Sequence, residues 1–169
     1  MGCRDLNKAD RAARELLEEK PTGQIIVKYI DCCDLKSVRA FASDIIREVE
    51  KVDVLINNAG VCGDHTEFTL DGFESIFQTN YLAPVLLTEL LLPLLKKSAP
   101  SRVINVGSYS YVIGGCNLNT LAEDLKSCPR SPVTRYGDSK LLLMMFSKAL
   151  HQELDGSGEL VRSCRMDST

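Results

Sequence analysis

Short apolar runs alternate with longer amphipathic stretches along most of this chain, and no other sequence feature constrains the fold as strongly. Residues 52–56 and 103–106 are compact apolar runs of the kind that forms strands buried on both faces of a sheet. The longer stretches repeat apolar residues at helical spacing. The predicted elements are a helix over residues 6–20, a strand over 24–30, a helix over 35–51, a strand over 52–56, a mostly helical segment over 71–97, a strand over 103–106 and a helix over 133–154.

Strands that alternate with helices of this length indicate βαβ units and a parallel sheet covered on both faces, which is a doubly wound α/β fold. Right-handed crossovers place the carboxyl ends of the strands along one edge of such a sheet, where ligands bind. One domain over residues 1–154 accounts for all of these elements, and residues 155–169 form a polar tail that we expect to be disordered. The residues that follow each strand are therefore the candidates for function.

Charge and cysteine usage argue against several classes of function. Lys and Arg total 20 against 23 Asp and Glu, so the chain has no cationic excess for binding nucleic acid. The seven cysteines are odd in number and form no Cys-x-x-Cys pair. This favours free thiols in a reducing compartment, here the cytoplasm, over disulfides or a zinc site. The most apolar segment, residues 81–95, contains Thr88 and Glu89, and so predicts a buried helix and no membrane span.

Tyr136 and Lys140 are four residues apart in a predicted helix, a spacing that puts both on one face. A tyrosine is a poor base at neutral pH, but a nearby ammonium group stabilises a phenolate. The pair therefore suits proton transfer with an alcohol or a carbonyl. An incidental surface pair is the alternative, and the spacing alone does not decide between them.

Ser108 comes just after the predicted strand 103–106, at the edge where ligands bind. A hydroxyl there can hydrogen-bond a substrate oxygen as charge develops on it. A turn-forming serine is an equally good interpretation of this residue, and Ser110 and Tyr111 lie close enough to compete for the same role.

Asn57-Asn58-Ala59-Gly60 follows the predicted strand 52–56 and is the most specific short motif in the chain. Asparagine side chains can bridge neighbouring strands, while alanine and glycine let a flat ligand approach the backbone. We expect this tetrapeptide to line the ligand edge.

Taken in chain order, these motifs resemble the classical short-chain dehydrogenase/reductase family, which has a Rossmann-like fold. The matching segments are Cys3-Arg4-Asp5 after the second strand of that fold, Asp34-Leu35 after the third, Asn57-Asn58-Ala59-Gly60 after the fourth, Asn80 in the long helix, Ser108 after the fifth, and Tyr136-Gly-Asp-Ser-Lys140. The family's catalytic tetrad of Asn, Ser, Tyr and Lys thus falls on Asn80, Ser108, Tyr136 and Lys140.

The resemblance implies a role for each member of the tetrad. Tyr136 exchanges a proton with the substrate oxygen, and Ser108 orients that oxygen. Lys140 stabilises the Tyr136 phenolate and, with Tyr136, holds the nicotinamide ribose. Asn80 helps to position a water-linked proton relay.

The resemblance also implies a dinucleotide cofactor. Asp34 and Leu35 would border the adenine, while Asn58, Ala59 and Gly60 would border the adenosine ribose and the central linkage. Arg4 sits where a cation meets a 2′-phosphate, which favours NADP(H). NAD(H) is the alternative because the neighbouring Asp5 is a carboxylate, although we predict Asp5 to be a helix cap.

Within the family, the chain is most similar to the retinol dehydrogenase and WW-domain oxidoreductase branch. The likeness rests on Ser37-Val-Arg-Ala-Phe41, on Leu86-Leu-Thr-Glu-Leu-Leu-Leu-Pro-Leu-Leu95, on Ser101-Arg-Val-Ile-Asn-Val106, and on the long insertion between Ser108 and Tyr136. The branch implies a small lipophilic substrate such as a retinoid, a steroid or an aldehyde. A homodimer is a further expectation, because the Tyr136 helix often packs at a subunit interface in this family.

Two parts of the family pattern are missing from these residues. The first strand with its Thr-Gly-x-x-x-Gly-x-Gly turn, which holds the pyrophosphate, is not found, and neither are the last strands with the substrate-binding segment. The first strand is central in the family's order 3-2-1-4-5-6-7, so its absence predicts a gap in the sheet with unpaired backbone groups. We therefore expect an incomplete domain, and an inactive family member that at most pairs with a full-length relative is the alternative to an active enzyme.

Overall fold

The computed structural model describes residues 1–19, 22–63, 67–117, 119–121, 123 and 130–154. Its strands are Gly2–Cys3 (β1), Lys28–Tyr29 (β2), Val54–Asn57 (β3) and Arg102–Asn105 (β4). Its helices are Leu6–Glu19 (α1), Leu35–Glu48 (α2), Ser75–Phe77 (α3), Ala83–Lys97 (α4) and Pro132–Leu154 (α5), with a π-helical turn over Gln78–Leu82 and a 3₁₀ helix over Tyr109–Ile113. The predicted tail, residues 155–169, lies outside the described residues.

The strands form two parallel pairs, as an α/β fold requires. β1 pairs with β2, with Cys3 opposite Tyr29. β3 pairs with β4 over their full lengths, with Asn57 opposite Asn105. Among the described residues, no strand bridges β1 and β3, so the sheet is divided where the predicted order has its central strand. The Rossmann-like α/β class is confirmed in this divided form.

One hydrophobic core serves both strand pairs. Ile30 follows β2 and Val103 lies in β4, yet both belong to a single buried cluster. The other members of this cluster come from α2, α4 and α5: Val38, Ala42, Ala83, Leu87, Leu91, Leu95, Leu150 and Leu154. The two strand pairs therefore pack against the same layer of helices, which holds their carboxyl ends at one edge.

Several predicted boundaries were wrong, each for a local physical reason. β2 is shorter than the predicted strand 24–30 because its partner β1 spans only Gly2–Cys3. The predicted helix 71–97 starts at Ser75, since Gly72 has φ +81° and the Glu74 carboxylate accepts a hydrogen bond from Phe77 N. The predicted helix 35–51 ends at Glu48, where Val49 is extended.

The helix boundaries elsewhere agree closely with the sequence. Asp5 caps α1 by accepting a hydrogen bond from Lys8 N at 3.0 Å, as predicted. The apolar segment 81–95 lies within the π-helical turn and α4, and Leu91 and Leu95 are buried there. None of the helices in the described part of the chain has both the length and the apolarity needed to cross a bilayer.

Candidate active site

Lys140 projects from α5 into the space below the carboxyl end of β4. Its side chain is 3% exposed, and Nζ donates a hydrogen bond to the carbonyl oxygen of Val106 at 2.9 Å. Burial lowers the pKa of the Lys140 ammonium from 10.5, because a buried environment disfavours the charged form. This bond uses one of the three donors of an ammonium group.

Tyr136 lies beside Lys140 on the same face of α5. The Lys140 Nζ is 5.7 Å from the centre of the Tyr136 ring, and the ring is half-buried. The preceding residue, Arg135, is buried and forms an ion pair with buried Glu74, with 3.6 Å between Nη1 and Oε1. Because Glu74 also caps α3, this pair joins the start of the Asn80-bearing helical segment to the helix that carries Tyr136.

Asn80 is fully buried in the π-helical turn, and its amide joins the loop after β3 to α5. Oδ1 accepts a hydrogen bond from Val61 N at 2.8 Å, and Nδ2 donates to Val61 O at 2.9 Å and to Ser139 Oγ at 3.0 Å. Ser139 Oγ in turn donates to the carbonyl oxygen of Tyr136 at 2.7 Å. Such π-helical turns occur frequently at functional sites, and here the turn aims the amide at the Tyr136 helix.

Asn58, Ala59 and Gly60 are exposed at the carboxyl end of β3. A Cβ atom added to Gly60 would lie 3.4 Å from Lys140 Nζ and 3.5 Å from Asn80 Oδ1. Gly60 thus keeps open a space that is bordered by the ammonium and amide groups. The structure brings Gly60, Asn80, Tyr136 and Lys140 around one point of the sheet edge.

Ser108 differs from the other tetrad positions because its hydroxyl has a local partner. Ser108 Oγ donates to Ser110 Oγ and accepts from Ser110 N, both at 3.2 Å, and so caps the 3₁₀ helix. This 3₁₀ helix packs on α5 next to Tyr136, where a Cβ atom at Gly137 would lie 2.7 Å from Ser110 O. The hydrogen bonds of Ser108 are therefore those of a turn-forming serine. Its position, however, is beside the helix that carries Tyr136.

The residues assigned to the adenine end lie around the ends of β1 and β2. Arg4 is exposed, and its positive charge favours the thiolate form of nearby Cys32. Asp34 caps α2 by accepting a hydrogen bond from Lys36 N at 2.8 Å. Leu35 N donates to Asp71 Oδ2 at 2.9 Å, which ties this end of α2 to the turn before α3.

A buried polar network beneath the site includes residues that the sequence did not single out. Asn57 Nδ2 donates to Asn105 Oδ1 at 2.7 Å and to Thr88 Oγ1 at 3.0 Å. Asn105 Nδ2 donates to Ser147 Oγ at 2.8 Å. The predicted bridge between strands is thus made by Asn57, and it extends to α4 and α5. The sequence signal that could have identified this network is the presence of isolated polar residues, such as Thr88 and Ser147, within apolar helical runs.

The described residues fit the ribose and nicotinamide end of a dinucleotide. Gly60 leaves space, Lys140 presents an ammonium group, and Asn58 and Ala59 are open to solvent at the strand end. The sequence contains no Thr-Gly-x-x-x-Gly-x-Gly segment for the pyrophosphate. Among the described residues, no group of His, Cys, Asp and Glu side chains is arranged to hold a metal ion.

The fold is that of a family of oxidoreductases. The model of the short chain dehydrogenase family matches residues 3–119, more than half of the chain, and the chain belongs to that family. Among curated proteins it is 42% identical to human retinol dehydrogenase 13 over 96% of this chain and 49% of that protein, and 40% identical to mouse retinol dehydrogenase 12 over 94% of this chain and 49% of that protein. The chain thus spans about half the length of the curated relatives it matches.

A solved structure gives the same result for the fold. An uncharacterized protein from Mycobacterium Paratuberculosis is 38% identical, with a TM-score of 0.82 over 99% of this chain and 57% of that one. The predicted likeness to retinol dehydrogenases within the family is confirmed by the sequence identity to the human and mouse proteins.

Proposed function

We propose that the protein is an NADP(H)-dependent oxidoreductase that interconverts an alcohol and a carbonyl on a small lipophilic substrate. The observation that carries the proposal is the meeting of Lys140, Asn80 and the open space at Gly60 beside the Tyr136 ring. Membership of the short chain dehydrogenase family and the likeness to retinol dehydrogenases support it.

Each residue has a distinct task in this mechanism. The Tyr136 phenol exchanges a proton with the substrate oxygen. The Lys140 ammonium favours the phenolate electrostatically and donates to ribose hydroxyls. Ser108 turns from Ser110 to the substrate oxygen, and Asn80 holds the loop after β3 against α5. A nicotinamide cofactor, held by Tyr136 and Lys140, would supply the hydride chemistry.

Exposed apolar side chains near the site support a lipophilic substrate. Val112 and Ile113 on the 3₁₀ helix and Val133 on α5 are each more than half exposed, and Ile113 contacts the Gly137 turn of α5. Apolar surface of this kind at a catalytic edge favours binding of an apolar molecule.

Arg4 supports NADP(H) as the cofactor, since an exposed guanidinium at the end of β1 suits a 2′-phosphate.

Turnover and cofactor binding test the proposal separately. Purified protein with NADPH and retinal should consume NADPH, and Tyr136→Phe should reduce kcat on the order of 100-fold or more because the proton donor is lost. Tyr109→Phe is the matched control, since Tyr109 is 73% exposed.

Arg4→Gln should raise KM for NADPH and leave KM for NADH unchanged, whereas Arg11→Gln on the exposed face of α1 should change neither.

A non-catalytic family member is the second candidate, because the sequence contains no Thr-Gly-x-x-x-Gly-x-Gly segment. In that case the protein acts by pairing with a full-length relative. It would show neither turnover nor a rise in melting temperature with NADPH, and it would co-elute with human retinol dehydrogenase 13 in size-exclusion chromatography. A rise in melting temperature with NADPH, together with turnover, rejects this candidate.

A further inference from the structure

Asp138, Arg130 and Gly115 form a closed ring of hydrogen bonds on the outer side of α5. Asp138 Oδ1 accepts from Gly115 N at 2.8 Å, and the Arg130 guanidinium donates to both carboxylate oxygens at 3.1 and 3.2 Å. Arg130 Nη2 also donates to Gly115 O at 2.9 Å. Both backbone groups of Gly115 are therefore held by side chains, and two of the bonds involve a charged donor and a charged acceptor, which makes them stronger than neutral ones.

The ring closes on a contact between two backbones. A Cβ atom at Gly114 would lie 2.8 Å from Gly137 O, and one at Gly137 would lie 2.7 Å from Ser110 O. Backbone therefore lies against backbone at these points, with the side chains of Ile113 and Leu141 beside the contact. The ring lies directly next to this contact in the sequence, since Gly115 follows Gly114 and Asp138 follows Gly137.

The direction of the Asp138 side chain excludes a direct part in the chemistry. Residues two apart on a helix do not face each other, so Asp138 points away from both Tyr136 and Lys140. Its side chain is only 13% exposed, and that of Arg130 is 31% exposed. A carboxylate placed here acts through the chain segments that it holds.

We propose that Asp138 is a positioning residue, which through Gly115 and Arg130 holds the 3₁₀ helix that begins after Ser108 against the turn of α5 that carries Tyr136. The ring thereby sets the relation between the Ser108 hydroxyl and the Tyr136 phenol. It also holds Gly115 and Arg130 at the same point on α5. This inference rests on the proposed function, because the two groups meet a substrate only if the protein is an oxidoreductase.

Two variants break the ring in different ways. Asp138→Asn keeps an acceptor for Gly115 N but removes the charge that pairs with Arg130, and Arg130→Gln removes the guanidinium. Because a misplacement of about 1 Å can reduce a rate on the order of 100-fold, each should lower kcat by about 10- to 100-fold. KM for NADPH should stay within about twofold, since the ring lies on the side of α5 away from Lys140. Asp53→Asn, in the exposed Lys51–Asp53 pair, is the control and should leave kcat unchanged.

Amide chemical shifts give a readout that does not depend on turnover. In ¹H–¹⁵N spectra, Asp138→Asn should move the resonances of Ser108 and Tyr136 as well as that of Gly115, while Asp53→Asn should move none of the three. A change confined to Gly115, or an unchanged kcat in both ring variants, overturns the positioning role. If the wild-type protein shows no turnover and no NADPH binding, the proposed function fails, and the Ser108 and Tyr136 shifts alone decide whether Asp138 couples the two segments.

Discussion

At Lys140 the requirements of chemistry and of folding oppose each other. An ammonium group that is 3% exposed loses most of its hydration. Within the described part of the chain, Lys140 Nζ donates one hydrogen bond, to Val106 O. The lowered pKa reports that burial is unfavourable for the charged form. The proposed cofactor contact thus requires a group whose charge destabilises the folded chain.

Lys140→Met should reveal this cost through its dependence on pH. The lysine pKa is lower in the folded state than the value of 10.5 expected when unfolded, so between the two values the folded state binds fewer protons. The unfolding free energy of the wild type therefore rises relative to Lys140→Met as the pH increases from 7 through this window, and it levels off above the upper value. Urea unfolding of both proteins at several pH values measures the difference. A difference that stays flat as the pH changes would contradict an effect of burial on Lys140.

The raised pKa of the Cys32 thiol leads to a second prediction. Burial and the neighbouring Asp31 carboxylate raise the pKa of Cys32 to about 11, so little thiolate is present at pH 8. We expect iodoacetamide to alkylate Cys32 on the order of 100-fold more slowly than exposed Cys62. Peptide mass spectrometry after timed pulses measures both rates, and unfolding in urea should make them similar. Equal rates in the folded protein would contradict the burial of Cys32.

At the scale of elements, the contact between the 3₁₀ helix and α5 depends on two glycines. Gly137→Ala gains about 0.5–1 kcal/mol of helix propensity, but the new Cβ would meet Ser110 O at 2.7 Å and Ile113 Cγ1 at 2.9 Å. Because the oxygen belongs to the backbone and cannot rotate away, we expect net destabilisation by about 1–3 kcal/mol. Gly63→Ala is the matched control, since its Cβ has no neighbour within 4 Å. Chemical denaturation compares the two variants, and equal stabilities would mean that the elements separate easily.

The sequence predicted the elements and motifs that local patterns encode. Residues 52–56 and 103–106 became β3 and β4 with shifts of one or two residues, because continuous apolar runs mark parallel strands. The expected burial on both faces was wrong for β3, since Val54 and Ile56 are exposed. The spacing of Tyr136 and Lys140 placed both on one face of α5. Asparagine at the end of β3 was expected to bridge strands, and Asn57 does so.

The features that sequence reasoning missed depend on partners that are distant in the chain. Nothing near Asp138 shows that it binds Gly115 and Arg130, because the choice of partner is made by the tertiary fold. The π-helical turn that aims Asn80 has no recognised local pattern. The length of β2 likewise depended on how much of β1 could pair with it.

At the scale of the molecule, the helix layer covers one face of the β3–β4 pair and leaves the other open. Leu55 and Val103 face the core, whereas Val54 and Ile56 are 46% and 57% exposed. Parallel strands are usually covered on both faces, so an exposed face of this kind attracts other apolar surfaces. Among the described residues, no strand pairs with the second edge of β3, which adds free backbone groups to the same surface.

The double substitution Val54→Thr and Ile56→Thr should therefore reduce association more than stability. Both side chains already contact solvent, so the unfolding free energy should fall by less than about 1 kcal/mol, whereas binding of the dye ANS and the apparent mass in light scattering should drop clearly. Leu55→Thr is the matched control on the same strand. It should destabilise the chain by about 1–3 kcal/mol because Leu55 packs against the core, without reducing dye binding by the native state. If the double variant bound as much ANS as the wild type, the inference that this face attracts other apolar surfaces would be wrong.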